Sequence, residues 1–376
     1  MNVPLKLQKT QLFRFAHIRT TSQADVDCEE EFVKGFSRQA DGRYVSASIF
    51  ERRWRITRQK LSRRLHNAVI YACRRMQQDA ELASAYRKFI DEYLKLGHMR
   101  PLTPHELKDQ RIFAHYIPHH AIWQRCDTGR KIRVVFNASR PTTSGRNLNG
   151  ILHSGPKLQN GIVTVIVRWR TYRTAFCADV KMMFRQIVIR PDDVHLQRIL
   201  WSPSLAEPIT HYVLNTVTYG TTCAPYLSLR VLQQLCRDEG DRRPKAVRSV
   251  LEELYVDDVL TGADNPSSAR ELRDQLINLF KAGGCGLKKW VSNDPLLLSD
   301  LPVEDRLRPT FMQLSTEGPV HERGILRDPH RDLFKFIPPL SADKAPTKRI
   351  ALAELARVFD SSGWLAPLTL IAKKII

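Results

Sequence analysis

Cysteine is scarce and unpatterned in this chain: seven in 376 residues, an odd number, with no Cys-x-x-Cys pair. That spacing supports neither a zinc site nor a disulfide framework and fits a reducing, intracellular setting. Long apolar runs are missing too. The longest, Trp364 to Ala372, contains Pro367 and stops at Lys373-Lys374, well short of the roughly 18 residues of a membrane span. The N-terminus lacks the apolar core of a secretory signal; being basic and free of acid before Asp25, it leaves a mitochondrial presequence as the one targeting alternative. There is no lipidation motif, internal repeat or low-complexity tract. Acid is the other shortage, with 39 Asp+Glu against 59 Lys+Arg, a formal net charge of +20 and pI ≈ 9.9. A metabolic enzyme of the cytosol has no use for such a balance. It implies a polyanionic partner, nucleic acid ahead of an anionic membrane surface.

What is present is a folding sequence, 43% hydrophobic and 26% charged; at roughly 100–200 residues per domain it predicts two or three packed units. Residues 1–55 read as an N-terminal arm of loops with a short strand at Tyr44 to Phe50. From about Ile56 to Leu96 the spacing of Leu61, Leu65 and Ala68, then of Phe89, Tyr93 and Leu96, is helical, with Gly97 as the stop. Tyr116 to Trp123 and Ile132 to Phe136 predict a hairpin. Val163 to Trp169, Thr174 to Ala178, Ile187 to Ile189 and His211 to Val217 read as strands, and Pro225 to Cys236 as a helix. Leu254 to Val256 and Val259 to Leu260 form a second hairpin around two aspartates. A helix from Pro266 to Phe280, capped by Asn265 or Ser267, ends at Gly283-Gly284. Beyond it the sequence turns Pro-rich and irregular, with a short hairpin at Gly324 to Phe336 and a helix at Lys348 to Phe359. The apolar last residues suggest a piece of something longer.

Tyr255-Val256-Asp257-Asp258 sits between two apolar half-strands. Adjacent carboxylates there offer hard oxygen ligands to Mg²⁺, which takes one or two of them; taken alone the signal is weak, since Asp-Asp in a hairpin turn is usually just turn chemistry. Asp179 ends another apolar run and is followed by the aromatic Phe184. Two such acidic positions are what a two-metal phosphoryl-transfer site requires.

Ala178-Asp179-Val-Lys-Met-Met-Phe184-Arg-Gln-Ile, Tyr219-Gly220-Thr-Thr-Cys-Ala-Pro225 and Tyr255-Val-Asp-Asp258 occur in the order and spacing of a reverse transcriptase palm. Tyr93-Leu-Lys-Leu-Gly-His-Met99, Tyr116-Ile-Pro-His-His120, Arg133-Val-Val-Phe-Asn-Ala-Ser139, Gly262-Ala-Asp264, Leu287-Lys-Lys-Trp290 and Glu354-Leu-Ala-Arg-Val-Phe-Asp360 narrow this further. Over nearly the whole chain, from Cys28 on, the sequence resembles the reverse transcriptase region of Pao/BEL-class LTR retrotransposon polyproteins. The resemblance implies an α+β, right-hand polymerase fold: a helical extension over 56–110, fingers and palm over 111–290, and a partial thumb or connection over 291–376. It implies RNA-directed DNA synthesis with two Mg²⁺, Mn²⁺ being a possible substitute. The partners would be an RNA or DNA template–primer, dNTPs and other polyprotein segments, with no membrane involved. The setting would be a cytoplasmic particle or the nucleus.

Residue by residue, the resemblance makes Asp179, Asp257 and Asp258 the catalytic and metal-binding carboxylates, with the Val180 carbonyl sharing a metal. Phe184 would pack beneath the incoming sugar, or simply in the core. Arg133 would grip the triphosphate, as a forked, permanently charged guanidinium can. Gly220 would let backbone approach the nascent base pair, and Lys288 or Lys289 would protonate pyrophosphate unless each is merely solvated. Three positions depart from the family pattern: Asn137 for a usual Asp, Arg327 for a usual Trp, and Ser361-Ser362 for a Pro-containing turn. These departures motivate the alternative of a catalytically inactive or co-opted nucleic-acid-binding remnant. Asp127-Thr128-Gly129 spells an aspartic-protease triplet, but its polar, basic flanks read as a hairpin turn. His119 and His120 would face opposite sides of a strand, which argues against a shared metal. The basic run from Glu51 to Arg64 reads as a template contact, a nuclear signal or a solvated helix face.

Overall fold

The N-terminal arm, expected as loops, carries a helix, α1 (Gln23–Gly35). Ser22 and Asp25 cap it reciprocally, and Cys28 and Phe32, one turn apart, are its buried stripe. The acidic run that reads as loop is this helix's polar face. These features belong to a computed structural model that describes residues 22–47, 63–109, 111–126, 129–142, 145–307, 312–313, 325–328, 333–336, 347–356 and 363–375.

Next come the paired strands β1 (Ser37–Arg38) and β2 (Tyr44–Ser46); the rest of the strand expected to reach Phe50 lies almost wholly outside the described residues, as does most of the basic run from Glu51. Helices α2 (Arg63–Gln78) and α3 (Ala80–Lys95) realise the helical pattern. Asp79 caps α3, and Gly97 follows it at φ 69°. After β3 (Met99–Pro101) and the short α4 (Pro104–Lys108), β4 (His119–Cys126) and β5 (Gly129–Phe136) form the expected hairpin. Its register is unbroken from His119↔Phe136 to Cys126↔Gly129; Asp127 and Thr128, between them, lie outside the described residues.

The expected strand at Val163 to Trp169 is instead helix α5 (Ile162–Thr171). Its β-branched residues favour a strand by well under ~1 kcal/mol each. Val165, Ile166 and Trp169, however, share one helical face and are fully buried, while Val163 and Val167 are exposed. Burying large apolar side chains is worth ~1.5–3 kcal/mol each, so tertiary packing overrides local preference.

Helix α5 leads into β6 (Thr174–Val180). Then follow β7 (Val188–Ile189), β8 (Arg198–Trp201), β9 (Thr210–Leu214), α6 (Ala224–Glu239), α7 (Pro244–Glu252), β10 (Leu254–Tyr255), β11 (Asp258–Ala263), α8 (Pro266–Ala282) and β12 (Leu287–Ser292). Strand β12 occupies ground expected to be irregular; Leu287, Trp290, Val291 and Ser292 are its buried residues. Asn265 is the α8 cap, accepting from the Ser268 amide. Further on, β13 (Met312–Gln313), β14 (Ile325–Asp328) and β15 (Leu333–Phe336) make a small antiparallel sheet that includes the expected hairpin, and α9 (Lys348–Ala356) and α10 (Ala366–Ile375) close the described chain. Among the described residues no helix is long and apolar enough to cross a membrane.

One antiparallel sheet, ordered β10-β11-β6-β12, positions the candidate site. Its centre, β6, is almost entirely buried because both faces are covered. Phe176, Ala178, Val180 and Val259 face the main core, whereas Ala175, Leu260 and Val291 meet Val165, Ile166 and Trp169 of α5. Alternation along a strand puts Asp179 and Asp258 on the α5 side of the sheet, at its end.

Candidate active site

The register of three strands brings the acids together. Asp258, first residue of β11, lies directly across from Asp179 on β6, and Lys288 of β12 lies across from Asp179 on the other side. The two-residue turn between β10 and β11 is Val256-Asp257, so Asp257 alone is at the tip and Asp258 belongs to the strand. The Val180 amide donates to the Asp257 carbonyl at 2.7 Å, tying the tip to the end of β6. Asp179 and Asp258 are both buried. Like charges opposed across a sheet are destabilising, and lysines answer them here. Lys289 Nζ is 2.7 Å from one Asp179 oxygen, and Lys288 Nζ is 3.7 Å from the other.

The electrostatics are incomplete. Asp257 Oδ1 is buried with no hydrogen-bond partner. Burial, and then the neighbouring charge of Asp179, holds the Asp257 carboxyl above its ordinary range. Burial also presses on both lysines. The bond to Asp179 nevertheless leaves Lys289 above its usual value, while Lys288, crowded by Lys289, Lys131 and Lys181, lies below. A bare, buried carboxylate oxygen beside a second carboxylate suits a hard divalent cation. Among the described residues no three or more His, Cys, Asp or Glu side chains gather closely enough to ligate one ion. Asp179, Asp257 and Asp258, with Lys289 now answering the first, are the donors on hand in pairs, and Mg²⁺ takes one or two carboxylates with water and phosphate oxygens.

The backbone is strained in the same place. Among the described non-glycine residues only Met182, Val256 and Lys289 have left-handed φ, at 54°, 55° and 54°. One lies three residues after Asp179, one immediately before Asp257, and one bonds Asp179. For β-branched Val256 this conformation is a true outlier, and clustered strain of this kind is typical of functional sites.

The other expected residues are placed as follows. Phe184 is buried on a 3₁₀ turn, Met183–Gln186, and packs in the main core. Arg133 lies on β5 opposite Ile122, and its charge reaches Tyr219. Gly220 has a structural need of its own: at φ 95°, a Cβ would stand 2.3 Å from the Phe136 carbonyl oxygen. His119 is half-buried against Tyr86 and the Leu200 carbonyl while His120 is exposed, on opposite sides of β4 as expected.

Three positioning residues escape sequence reasoning. Gln159, just before α5, accepts the Val256 amide at 2.9 Å and so holds the strained turn. Glu253, fully buried, accepts from the hydroxyls of Tyr172 and Thr261 and braces the base of β10–β11. Asn149 donates to the Gly220 carbonyl at 3.0 Å and accepts from the Thr222 amide at 2.8 Å. The only sequence signal is Gln159-Asn160 before an apolar run, which a helix start explains as well.

No family model matches the chain, and no curated protein matches it. Among solved structures it is similar to the foamy viral protease-reverse transcriptase in complex with RNA/DNA hybrid, at 14% identity and TM-score 0.40, over 56% of this chain and 24% of that one. It is also similar to the foamy viral protease-reverse transcriptase dRH in complex with ds DNA, at 16% identity and TM-score 0.40, over 54% of this chain and 30% of that one. The chain thus spans less than a third of either protein's length.

Proposed function

We propose that this chain is the RNA-directed DNA polymerase segment of a Pao/BEL-type retrotransposon polyprotein, adding dNMP units to a primer 3′-hydroxyl under the direction of a template. The observation that carries the reading is the register that sets Asp258 across from Asp179 beside the strained turn bearing Asp257, whose buried oxygen has no partner. The motif resemblance supplies the class.

Asp179, Asp257 and Asp258, with the Val180 carbonyl, would hold the Mg²⁺ ions. When bound, such ions lower the pKa of an attacking hydroxyl and neutralise a leaving pyrophosphate. The chain's own groups do the positioning. Lys288 and Lys289 bring positive charge to the pyrophosphate side, and Arg133 forks onto triphosphate oxygens. Phe184 forms the floor under the sugar, and Gly220 leaves room for the base pair. Phosphoryl transfer asks little else of a protein than placement and charge stabilisation. The net charge of +20 supplies sequence-independent contacts to the template–primer backbone.

Primer extension on poly(rA)/oligo(dT) with Mg²⁺ is the test. Extension that Asp257→Asn abolishes is the expected result. Template–primer binding without extension, in Mg²⁺ and Mn²⁺ alike, would replace this reading with an inactive nucleic-acid-binding remnant.

A further inference from the structure

A cavity of about 560 Å³ opens between α2, α3 and the base of the β4–β5 hairpin. No residue of the carboxylate site lines it. Its volume lies within the ~300–1,000 Å³ of small-ligand sites, with room for a nucleotide-sized group. The lining includes Arg75, Arg140 and His120 and not one Asp or Glu. Arg75 is half-buried; its guanidinium donates to the Ala121 carbonyl at 3.2 Å and has no ion pair among the described residues. Arg140 is exposed and likewise has no ion pair among them. A half-buried cation without a counter-charge is costly, and an entering anion relieves that cost.

The rim carries the second requirement. Tyr71 is 65% exposed although it stands on a helix whose other face packs in the core. Its ring is an open stacking surface, and the exposed amides of Asn67 and Asn137 in the same lining can meet base edges. An aromatic platform beside a basic pocket is how single strands are held without regard to sequence.

We propose that this cavity binds a single-stranded nucleic-acid segment, one base stacked on Tyr71 and the adjoining phosphates held by Arg75 and Arg140. The identification of the polyanion rests on the polymerase reading above, but the binding itself involves neither the carboxylates nor metal.

Fluorescence anisotropy of a short labelled oligothymidylate against the full chain, across a salt series without divalent cation, tests it. Tyr71→Ala is expected to weaken binding roughly ten-fold with the salt slope unchanged, since stacking is not ionic. Arg140→Ala is expected to flatten the slope of log K against log salt by about 0.7, one phosphate contact on a single strand. Tyr71→Phe should bind as the parent does, as should Lys281→Ala on α8, a charge removed elsewhere. Polyphosphate, which has the charge but no bases, should bind Tyr71→Ala and parent alike. The proposal falls if Tyr71→Ala and Arg140→Ala match the parent or Lys281→Ala, or if polyphosphate loses as much with Tyr71→Ala as the oligonucleotide does. Unchanged oligonucleotide binding alongside Mg²⁺-dependent extension removes the cavity and leaves the polymerase; the reverse pair of results removes the polymerase and leaves the cavity.

Discussion

The region around the β4–β5 hairpin and the four-stranded sheet both bury polar side chains, but of different kinds. Beside the hairpin the Tyr86–His119 chain is neutral, and a fully buried cation near it, Arg198, donates to the Tyr116 hydroxyl. Tyr86 donates to Nδ1 of His119, whose Nε2 donates to the Leu200 carbonyl at 2.9 Å, a chain that assigns the imidazole its tautomer. Aromatic rings fill the space around it, Tyr86 and Trp201 lying 4.6 Å apart. In the sheet the buried groups are acidic side chains, Asp179, Asp258 and Glu253, with lysines on Asp179 and a bare oxygen on Asp257. The hairpin is regular over eight paired positions, while the β10–β11 turn is left-handed at valine. The Tyr86–His119 chain finds all its partners within the fold. The sheet holds charge and strain that a bound cation and substrate would relieve.

The largest expected effect would break the first region with acid. Burial pushes His98, His115 and His119 down to about 4 from an ordinary 6.5. Between those values the unfolded chain binds protons that the folded chain does not. Stability is therefore fully present above pH 6.5 and is lost as pH falls toward 4, at up to about 1.4 kcal/mol per pH unit for each imidazole. From pH 7 to pH 5 the three together remove on the order of 5 kcal/mol, opposed among the described carboxyls by the raised one of Asp257. Urea midpoints at pH 7, 6 and 5 measure this, and a midpoint that holds steady would show the three histidines to be solvated.

A smaller effect tests the brace beneath the acids in the second region. Glu253→Ala leaves the buried Thr261 hydroxyl and the half-buried Tyr172 hydroxyl without their acceptor, at a cost of about 3 kcal/mol. Glu253→Gln keeps an acceptor and should recover most of it. Denaturation midpoints of the two variants, beside the parent, decide the matter. Equal midpoints would mean that the carboxylate does not hold the hairpin base.

Legibility in the sequence follows the range of the forces involved. Asp179 and the Asp257-Asp258 pair stand out because each ends or interrupts an apolar run, a local signal, and the hairpin and α8 are marked by turn and cap residues. Helix α5 is misread because Val163 to Trp169 carries strand propensity, and only Ala175, Leu260 and Val291 reveal which face is buried. Helix α1 is hidden by its acids, one of which, Glu29, is held by Arg230 of α6 at 2.7 Å, 201 positions away. Gln159 has no mark beyond that of a helix start, since its partner lies 97 positions downstream. Local pattern marks the acids of the candidate site, whereas the groups that position them are defined by contacts that exist only once the chain has folded.

The smallest effect tests whether the strain at the turn is real. Val256 holds φ 55°, a conformation that costs an ordinary residue roughly 1–2 kcal/mol and asparagine much less. The amide bond to Gln159 is made by backbone and survives a change of side chain. Val256→Asn should therefore raise stability by about 1 kcal/mol, after the loss of some half-buried apolar surface. The same change at Val134, buried and regular on β5, should instead lower stability by about 2 kcal/mol, because it buries an amide where a strand packs on the core. Chemical denaturation of the two variants gives opposite signs if the regions differ as described. Two losses of similar size would mean that the turn carries no more strain than the hairpin, and the backbone's mark on the site would have to be withdrawn.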